Sequence, residues 1–259
     1  PLWSRGLGDV YKRQIGSRGI DVVVHLAGQA IVGAARTSPR STFETNVAGT
    51  WNVMEAARLG GVQRVLVASS DKAYGPSDVL PYVEELALRP QYPYDASKAA
   101  AELIARSYWH TYGVPVAVAR LANLYGGGDR NPSRLIPGTV AAALSGQAPV
   151  VRSDGSPERD YLYVADAVQA CLAVLDLLAA GKGAGEAFNA GSGIPRRAID
   201  VVSAVLEAAG SSIGPQITGD GIPEAEIGHQ VIDSSRITAL TGWTPQTSLE
   251  QGLAETLAW

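Results

Sequence analysis

Cysteine and histidine are scarce in this sequence. Its 259 residues include one cysteine, Cys171, and three histidines. A single cysteine excludes a disulfide within the printed sequence and most thiolate metal sites, and three scattered histidines do not favour a histidine-based site. We therefore expect a protein that uses no metal.

Long apolar runs and an excess of positive charge are also missing. No apolar run approaches the ~20 residues that a membrane-spanning helix needs. The net charge is −4, which does not favour a nucleic-acid partner or a polybasic membrane surface. The sequence is 46% hydrophobic and 18% charged, which allows one globular unit or two lobes that share a core. We expect a cytoplasmic enzyme without a nucleic-acid or membrane partner.

The first fourteen residues, PLWSRGLGDVYKRQ, do not blend into the pattern that follows. They lack the apolar stretch of a signal peptide. The string DVYKRQ resembles the translation of an adapter used in sequencing libraries. We interpret residues 1–14 as a non-native tail, and we expect the gene to begin further upstream. On this interpretation Gly6 and Gly8 do not belong to a phosphate-binding loop.

Strand and helix patterns alternate after this segment. Short β-branched runs are typical of strands buried on both faces, and longer stretches have helical periodicity. The strand runs are 21–27, 63–69, 114–121 and 186–190, and the helical stretches are 41–59, 94–112 and 163–180. This alternation predicts an α/β fold with a Rossmann-like, doubly wound parallel sheet.

The pattern changes from about Asn131. Short helices separated by loops with proline and glycine are expected at 134–144, 198–209, 235–240 and 249–259. They suit a smaller C-terminal substrate lobe over the carboxyl ends of the strands, where open α/β sheets bind ligands. We assign residues 15–130 with 156–192 to the Rossmann core, and 131–155 with 193–259 to the substrate lobe.

Tyr94 and Lys98 stand four residues apart at the start of a predicted helix, so they share one face of it. A tyrosine phenol has an ordinary pKa of about 10, and a neighbouring ammonium lowers it. Such a pair can accept a proton from a hydroxyl while a hydride leaves the same carbon. Taken alone, this spacing is more often an ordinary solvated pair.

Two other polar or small-residue segments end predicted strands. Ser70-Asp71-Lys72 follows one strand, and His25-Leu26-Ala27-Gly28 ends the first. Small residues let a flat cofactor approach the backbone closely, although an ordinary strand exit has the same composition. In the next helix, Asn46 could reach a neighbouring loop. Because strand ends gather ligand groups in this architecture, we expect these segments to converge near Tyr94.

Six segments together resemble a known family. They are HLAG, NVAGT, SSDKAYG, YDASK, RLANLYGGGD and RDYLYVADAV. Their order and spacing resemble the extended short-chain dehydrogenase/reductase family, and within it the NAD-dependent sugar-nucleotide epimerases and dehydratases, from about Asp21 to the C-terminus. The resemblance implies an NAD cofactor, a nucleotide-sugar substrate and a homodimer formed through helices 41–59 and 94–112.

The resemblance also implies roles for individual residues. Tyr94 would be the base at the sugar C4 hydroxyl, Lys98 would hold the nicotinamide ribose, and Ser70 would bond to the same hydroxyl. The positions that match cofactor contacts are Leu26, Ala27, Gly28, Asn46, Ala68, Ser69, Tyr94, Lys98 and Leu121. The positions that match substrate contacts are Gln29, Asn123, Arg134 and Arg159. An arginine fork suits a diphosphate.

Asp71 and Lys72 bear on which reaction this is. Family 4-epimerases have small residues after the catalytic serine, whereas 4,6-dehydratases need a general acid and a general base. Ser70-Asp71-Lys72 resembles the CDP-glucose 4,6-dehydratases, so we expect Asp71 as acid and Lys72 as base. The alternatives are a UDP-sugar 4-epimerase or related sugar-nucleotide oxidoreductase, and, more distantly, a non-catalytic Rossmann sensor.

Some family features are absent from the printed sequence. A glycine fingerprint after a first strand and an acidic residue for the ribose are not found. We therefore expect a Rossmann sheet that lacks its first strands and a chain that, as printed, binds NAD poorly, and the choice between NAD and NADP stays open. Near Gln230, where relatives often carry an arginine for the phosphate, there is none. The nucleotide and the sugar therefore also stay open.

Overall fold

The computed structural model describes residues 14–224 and 226–259. Of the predicted tail at residues 1–14, only Gln14 lies within the described residues. Gly6 and Gly8 lie outside them.

The first half of the described chain alternates strands and helices, as predicted. Its elements are β1 (Val22–His25), α1 (Val32–Thr37), α2 (Pro39–Phe43), a π-helical turn (Glu44–Ala48), α3 (Gly49–Gly60), β2 (Arg64–Ser70), a 3₁₀ turn (Asp71–Tyr74), α4 (Pro93–Tyr112), β3 (Val116–Leu121) and β4 (Asn123–Tyr125). Helix α1 and strand β4 were not predicted, because six and three residues are too few to show a period.

The second half contains shorter elements. They are α5 (Leu135–Leu144), β5 (Val150–Val151), β6 (Glu158–Tyr163), α6 (Val164–Ala179), β7 (Ala187–Ala190), β8 (Pro195–Arg197), α7 (Ala198–Ala208), β9 (Gln216–Ile217), α8 (Ser235–Thr241) and α9 (Leu249–Ala258). The helices agree with the predicted ranges to within a residue. Strand β6 was not predicted, because its polar residues hide a strand pattern. The short strands β5, β8 and β9 were not predicted either.

A four-stranded parallel sheet forms the centre of the fold, in the order β1-β2-β3-β7. Alternate residues of a strand point to opposite faces. Val65 of β2 packs in a cluster with Met54 of α3, whereas its neighbour Leu66 packs in a cluster with Val174 of α6. The sheet is therefore covered by helices on both faces, which confirms the predicted Rossmann-like α/β fold.

Helices α5, α7 and α9 pack around a separate apolar cluster. Ile136 of α5, Val201 of α7 and Leu253 of α9 lie in it and are buried. Two small sheets accompany these helices, in the orders β4-β6-β8 and β5-β9. The three helices and strands β5, β8 and β9 belong to the segments that we assigned to a substrate lobe, whereas β4 and β6 belong to the segments that we assigned to the Rossmann core.

The parallel sheet determines where the candidate site lies. Ser70 at the end of β2 is paired with Leu121 at the end of β3, so the segments after both strands leave the same edge of the sheet. Across the described ranges, no helix is both long and apolar enough to cross a membrane.

Candidate active site

Lys98 is bound to the end of β2. Helix α4 begins with Pro93, whose fixed φ suits the first helical position, and Tyr94 and Lys98 follow on one face. Both side chains are buried. The Lys98 ammonium donates to the carbonyl oxygen of Ala68 at 2.9 Å, and burial lowers the pKa of Lys98 to about 8. Lys98 is thereby held at the strand end with further N–H groups to donate.

Tyr94 departs from the expectation in one respect. Burial raises the pKa of its phenol to about 12, and the groups that oppose this rise are the hydrogen-bonded Ser70 and the charge of Arg134. We expected Lys98 to lower this pKa. That expectation was wrong: Lys98 is not among the groups that lower the pKa of Tyr94, because its ammonium is directed at the backbone of β2.

Ser70 and Asp71 form a compact hydrogen-bonded turn. The Ser70 hydroxyl accepts the N–H of Lys72 at 3.3 Å and donates to Asp71 Oδ1 at 3.0 Å. Asp71 is 1% exposed, and its Oδ2 has no hydrogen-bond partner among the described residues. Burial raises the pKa of this carboxyl. A buried carboxyl with a raised pKa can donate a proton near neutral pH.

Lys72 has the opposite property. Its amine donates to Gln230 Oε1 at 2.9 Å. Burial and the nearby positive charge of Arg159 lower the pKa of Lys72. An amine with a lowered pKa is uncharged for part of the time and can accept a proton. Burial therefore shifts the pKa values of these two neighbours in the directions that an acid and a base need.

Asn46, from the π-helical turn, organises the loop after β1. Its side-chain amide donates to the Gln29 carbonyl at 3.0 Å and to Ser97 Oγ at 2.8 Å, and its Oδ1 accepts the Gln29 N–H at 2.7 Å. This confirms that Asn46 reaches a neighbouring loop. A Cβ at Gly28 would lie 3.2 Å from Asn46 Oδ1 and 3.5 Å from Lys98 Nζ, so Gly28 keeps this space open.

The other candidate cofactor positions line the same edge. Leu26 and Ala27 are exposed after β1, and Leu121 is buried at the end of β3. The hydroxyl of Ser69 is buried and has no partner within the described part of the chain. An open backbone at Gly28, an unpartnered hydroxyl and a lysine with free donors fit a bound dinucleotide.

The two arginines among the candidate substrate residues are already hydrogen-bonded within the protein. Arg159 donates to the Gly228 carbonyl at 3.0 Å and to Glu226 at 3.3 Å, and Arg134 donates to Asp129 at 2.6 Å and to the Leu124 carbonyl at 2.7 Å. Both guanidinium groups are therefore already paired with carboxylates of the protein.

Asn123 and Gln29 are the remaining candidates. Asn123 Nδ2 is a buried donor that no described residue satisfies. Gln29 instead uses its side chain within its own loop and α2, where it donates to Thr42 at 3.0 Å and accepts from the Ile31 N–H.

Neither Asp95 nor Gln230 was predicted from the sequence to be a site residue. Asp95 is 2% exposed, and burial raises its pKa to about 6, against the opposing charge of Lys72. Its position in the first turn of α4 looks like an ordinary helix-start acid, so the sequence carries no further signal. From the sequence, Gln230 marked only a place where relatives often carry an arginine. Its hydrogen-bond partner, Lys72, lies 158 residues away in the sequence.

Comparisons with known proteins agree with this geometry. A family model described as the NAD dependent epimerase/dehydratase family matches residues 9–191. The dTDP-glucose 4,6-dehydratase of Xanthomonas campestris pv. campestris is 33% identical, over 98% of this chain and 76% of that protein.

Solved structures are also similar. UDP-glucose 4-epimerase from Thermotoga maritima superposes with a TM-score of 0.90 at 27% identity, over 97% of this chain and 80% of that one. A double mutant of dTDP-glucose 4,6-dehydratase from Streptomyces venezuelae, solved with NAD bound, has a TM-score of 0.88 at 31% identity, over 97% and 76%. With the Tyr94–Lys98 pair at the edge of a parallel Rossmann-like sheet, these matches show that the chain belongs to the NAD dependent epimerase/dehydratase family.

Proposed function

We propose that this protein is an NAD-dependent nucleotide-sugar 4,6-dehydratase of the CDP-glucose type. The observation that carries the proposal is the pair that follows β2. Asp71 has a raised pKa and Lys72 has a lowered pKa. The charge of Asp71 acts on the phenol of Tyr94, and the charge of Asp95, the next residue of α4, acts on Lys72. A 4-epimerase moves a hydride on and off one carbon and needs no such pair, whereas elimination of water needs both an acid and a base.

The first stage takes place at Tyr94. Tyr94 accepts the proton of the sugar C4 hydroxyl, and Ser70, which is hydrogen-bonded to Tyr94, orients that hydroxyl. Burial raises the pKa of the Tyr94 phenol, so this step requires that the bound ligands lower that pKa. Lys98, anchored on Ala68, would hold the nicotinamide ribose with its remaining donors. When bound, NAD would accept the hydride from C4 and later return it to C6.

The second stage takes place at Asp71 and Lys72. A ketone at C4 acidifies the hydrogen on C5, and uncharged Lys72 accepts that proton. Asp71 donates its proton to the C6 hydroxyl, so that the C6–O bond breaks, water leaves and a C5–C6 double bond forms. When C6 receives the hydride, the Lys72 ammonium returns its proton to C5. The product is a 4-keto-6-deoxy sugar nucleotide.

The diphosphate of the substrate would bind to Arg159, Arg134 and Asn123. Arg159 is held by Gly228 and Glu226, so its guanidinium is already ordered before the ligand arrives. Its fork can bind two phosphate oxygens. Gln29, whose side chain is engaged in its own loop, would contribute through that loop.

A homodimer is part of this proposal. Helices α2, α3 and α4 carry large apolar side chains that are exposed on the chain's surface: Phe43, Trp51, Leu103 and Tyr112. Exposed apolar side chains on neighbouring helices fit a helical interface between two copies. Analytical ultracentrifugation would measure the stoichiometry.

A UDP-sugar 4-epimerase remains the second candidate, since the Thermotoga maritima enzyme superposes with a TM-score of 0.90. A non-catalytic Rossmann sensor would have no use for the Tyr94–Lys98 pair or for Asp71 and Lys72.

Product analysis separates these candidates. The protein, made from its complete gene, is incubated with NAD and with CDP-glucose, dTDP-glucose or UDP-glucose. We expect the alkaline chromophore of a 4-keto-6-deoxy sugar, with CDP-glucose as the best substrate. Formation of UDP-galactose without that chromophore would establish the epimerase, and no turnover of any nucleotide sugar would favour the sensor.

Lys72→Ala tests the role of the base. It should leave oxidation at C4 intact and stop dehydration, with Lys182→Ala as a matched control, because Lys182 is an exposed lysine in the loop after α6. Unchanged formation of the 4-keto-6-deoxy product by Lys72→Ala would refute the role.

A further inference from the structure

Gln230 is a neutral side chain at the centre of a charged cluster. It is 0% exposed, its Oε1 accepts the Lys72 amine at 2.9 Å, and its Nε2 has no partner among the described residues. A buried amide with an unsatisfied N–H destabilises the fold. A purely structural glutamine would be expected to use both ends of its amide, so this one suggests a role at the site.

The backbone around Gln230 is well anchored. Its N–H donates to the Glu158 carbonyl at 3.1 Å, and Tyr82 pairs with the nearby Ile232 in an isolated bridge. The Gln230 side chain is therefore held at a fixed distance from the end of β2, and it can hold the flexible Lys72 side chain in one orientation.

The surroundings of Lys72 make its charge sensitive to this neighbour. The titratable groups that act on Lys72 come from four segments: Asp71 in the 3₁₀ turn, Asp95 in α4, Arg159 in β6 and Glu226 in the segment before Gln230. Asp71, Asp95 and Glu226 favour the ammonium, whereas Arg159 and burial favour the free amine. The group that touches the amine, Gln230, carries no charge.

We propose that Gln230 is a positioning residue for Lys72, which holds the amine at the end of β2 through an uncharged acceptor and so keeps it available as a base. This inference rests on the proposed dehydratase function. One N–H of Lys72 is directed at Gln230 Oε1, so the lone pair of the free amine is directed away from Gln230. A carboxylate in the place of Gln230 would stabilise the ammonium and remove that lone pair.

Two substitutions of Gln230 by side chains of similar length test the proposal, because they are expected to shift the pKa of Lys72 in opposite directions. Gln230→Glu places a negative charge beside Lys72 and should raise its pKa. Each unit of increase reduces the fraction of free amine about tenfold at a pH below the pKa. We expect dehydration at neutral pH to fall about tenfold or more and the acidic limb of its pH profile to move at least one unit upward. Gln230→Met removes the acceptor without adding charge, so it should slow dehydration without that upward movement.

Oxidation at C4 is the internal control for both variants. It depends on Tyr94 and should stay within about twofold of the wild type, whereas exchange of the C5 hydrogen with deuterated water, which reports Lys72, should fall in parallel with dehydration. A wild type that forms no 4-keto-6-deoxy sugar would contradict the proposed function. A wild type that forms it, with the same acidic limb in Gln230→Glu, would contradict this inference alone.

A direct titration gives a readout that needs no turnover. The sequence contains four lysines, so carbon-13 labelling at the lysine ε-position gives few signals, and Lys72→Ala assigns the one of interest. We expect the pKa of Lys72 to increase in the order Gln230→Met, wild type, Gln230→Glu. The same pKa in the wild type and in either folded variant would overturn the proposal, so one folded variant is enough for the test.

Discussion

Lys98 donates its hydrogen bond to the carbonyl oxygen of Ala68, at 2.9 Å, and so connects the first turns of α4 to the carboxyl end of β2. Tyr94, one turn earlier on the same helix, is thereby brought next to Ser70, which ends that strand. This contact between helix and strand holds Tyr94 at the end of β2, where Asp71 and Lys72 follow Ser70.

Tyr94→Phe should abolish most of the turnover without unfolding the protein. Removal of the group that accepts the C4 proton is expected to lower the rate about 10²- to 10⁴-fold. Tyr112→Phe is the matched control, because Tyr112 lies at the end of the same helix with its side chain exposed, and phenylalanine keeps the aromatic ring that we assign to the dimer interface. Steady-state rates and circular dichroism would be compared. Nearly full activity in Tyr94→Phe would rule out its role as base.

Gly28→Ala should weaken binding of NAD and leave folding nearly unchanged. The new Cβ would lie 3.2 Å from Asn46 Oδ1 and 3.5 Å from Lys98 Nζ, so it would crowd the place where the cofactor approaches the backbone. Gly33→Ala is the control, since a Cβ there meets nothing within 4 Å. Isothermal calorimetry with NAD would measure the difference, and equal affinities in the two variants would refute the role assigned to Gly28.

Asp95→Asn should stabilise the protein at neutral pH. Burial raises the folded-state pKa of Asp95 to about 6 from 3.8, so its contribution to stability is full below pH ~4 and is lost as the pH rises through ~6. An asparagine avoids that loss, which is about 3 kcal/mol for a shift of this size. Urea unfolding at pH 4 and pH 7.5 should show a gain at the higher pH alone.

Asp200→Asn is the matched control for Asp95. Asp200 lies in the first turn of α7, and its hydrogen bond with Arg197 lowers its pKa. A lowered pKa contributes stability above the unfolded-state value, so this variant should lose stability at pH 7.5. Equal behaviour of the two variants would show that the effect comes from the helix start and not from burial.

Glu102→Gln should destabilise the fold strongly. Glu102 and Arg120 form an ion pair buried between α4 and β3, and Arg120 Nε donates to Glu102 Oε2 at 3.0 Å. Removal of one partner leaves a buried charge uncompensated, which costs about 3–5 kcal/mol.

Glu44→Gln is the comparison for Glu102→Gln, because Glu44 pairs with Arg40 on the surface. Exposed pairs of this kind contribute at most about 1 kcal/mol. Urea unfolding of both variants would measure the difference, and a loss below ~1 kcal/mol in Glu102→Gln would contradict the assignment.

The sequence by itself determined the elements and the edge at which they meet. Runs such as 63–69 and 114–121 are apolar on both faces, and only a strand covered by helices on both sides buries such residues. Because parallel strands end at one edge of a sheet, the sequence also placed Ser70, Asp71 and Lys72 near Tyr94 and Lys98.

The tertiary structure decided which atoms meet and what charge they carry. Burial, which the spacing of residues in the sequence does not reveal, raises the pKa of Tyr94 and of Asp95. The packing of α4 against the sheet brings Lys98 to the backbone of β2. Gln230 reaches Lys72 across 158 positions of the chain. A hydrogen bond between residues so far apart depends on how the C-terminal segment packs against the sheet, so it leaves no periodic pattern in the sequence.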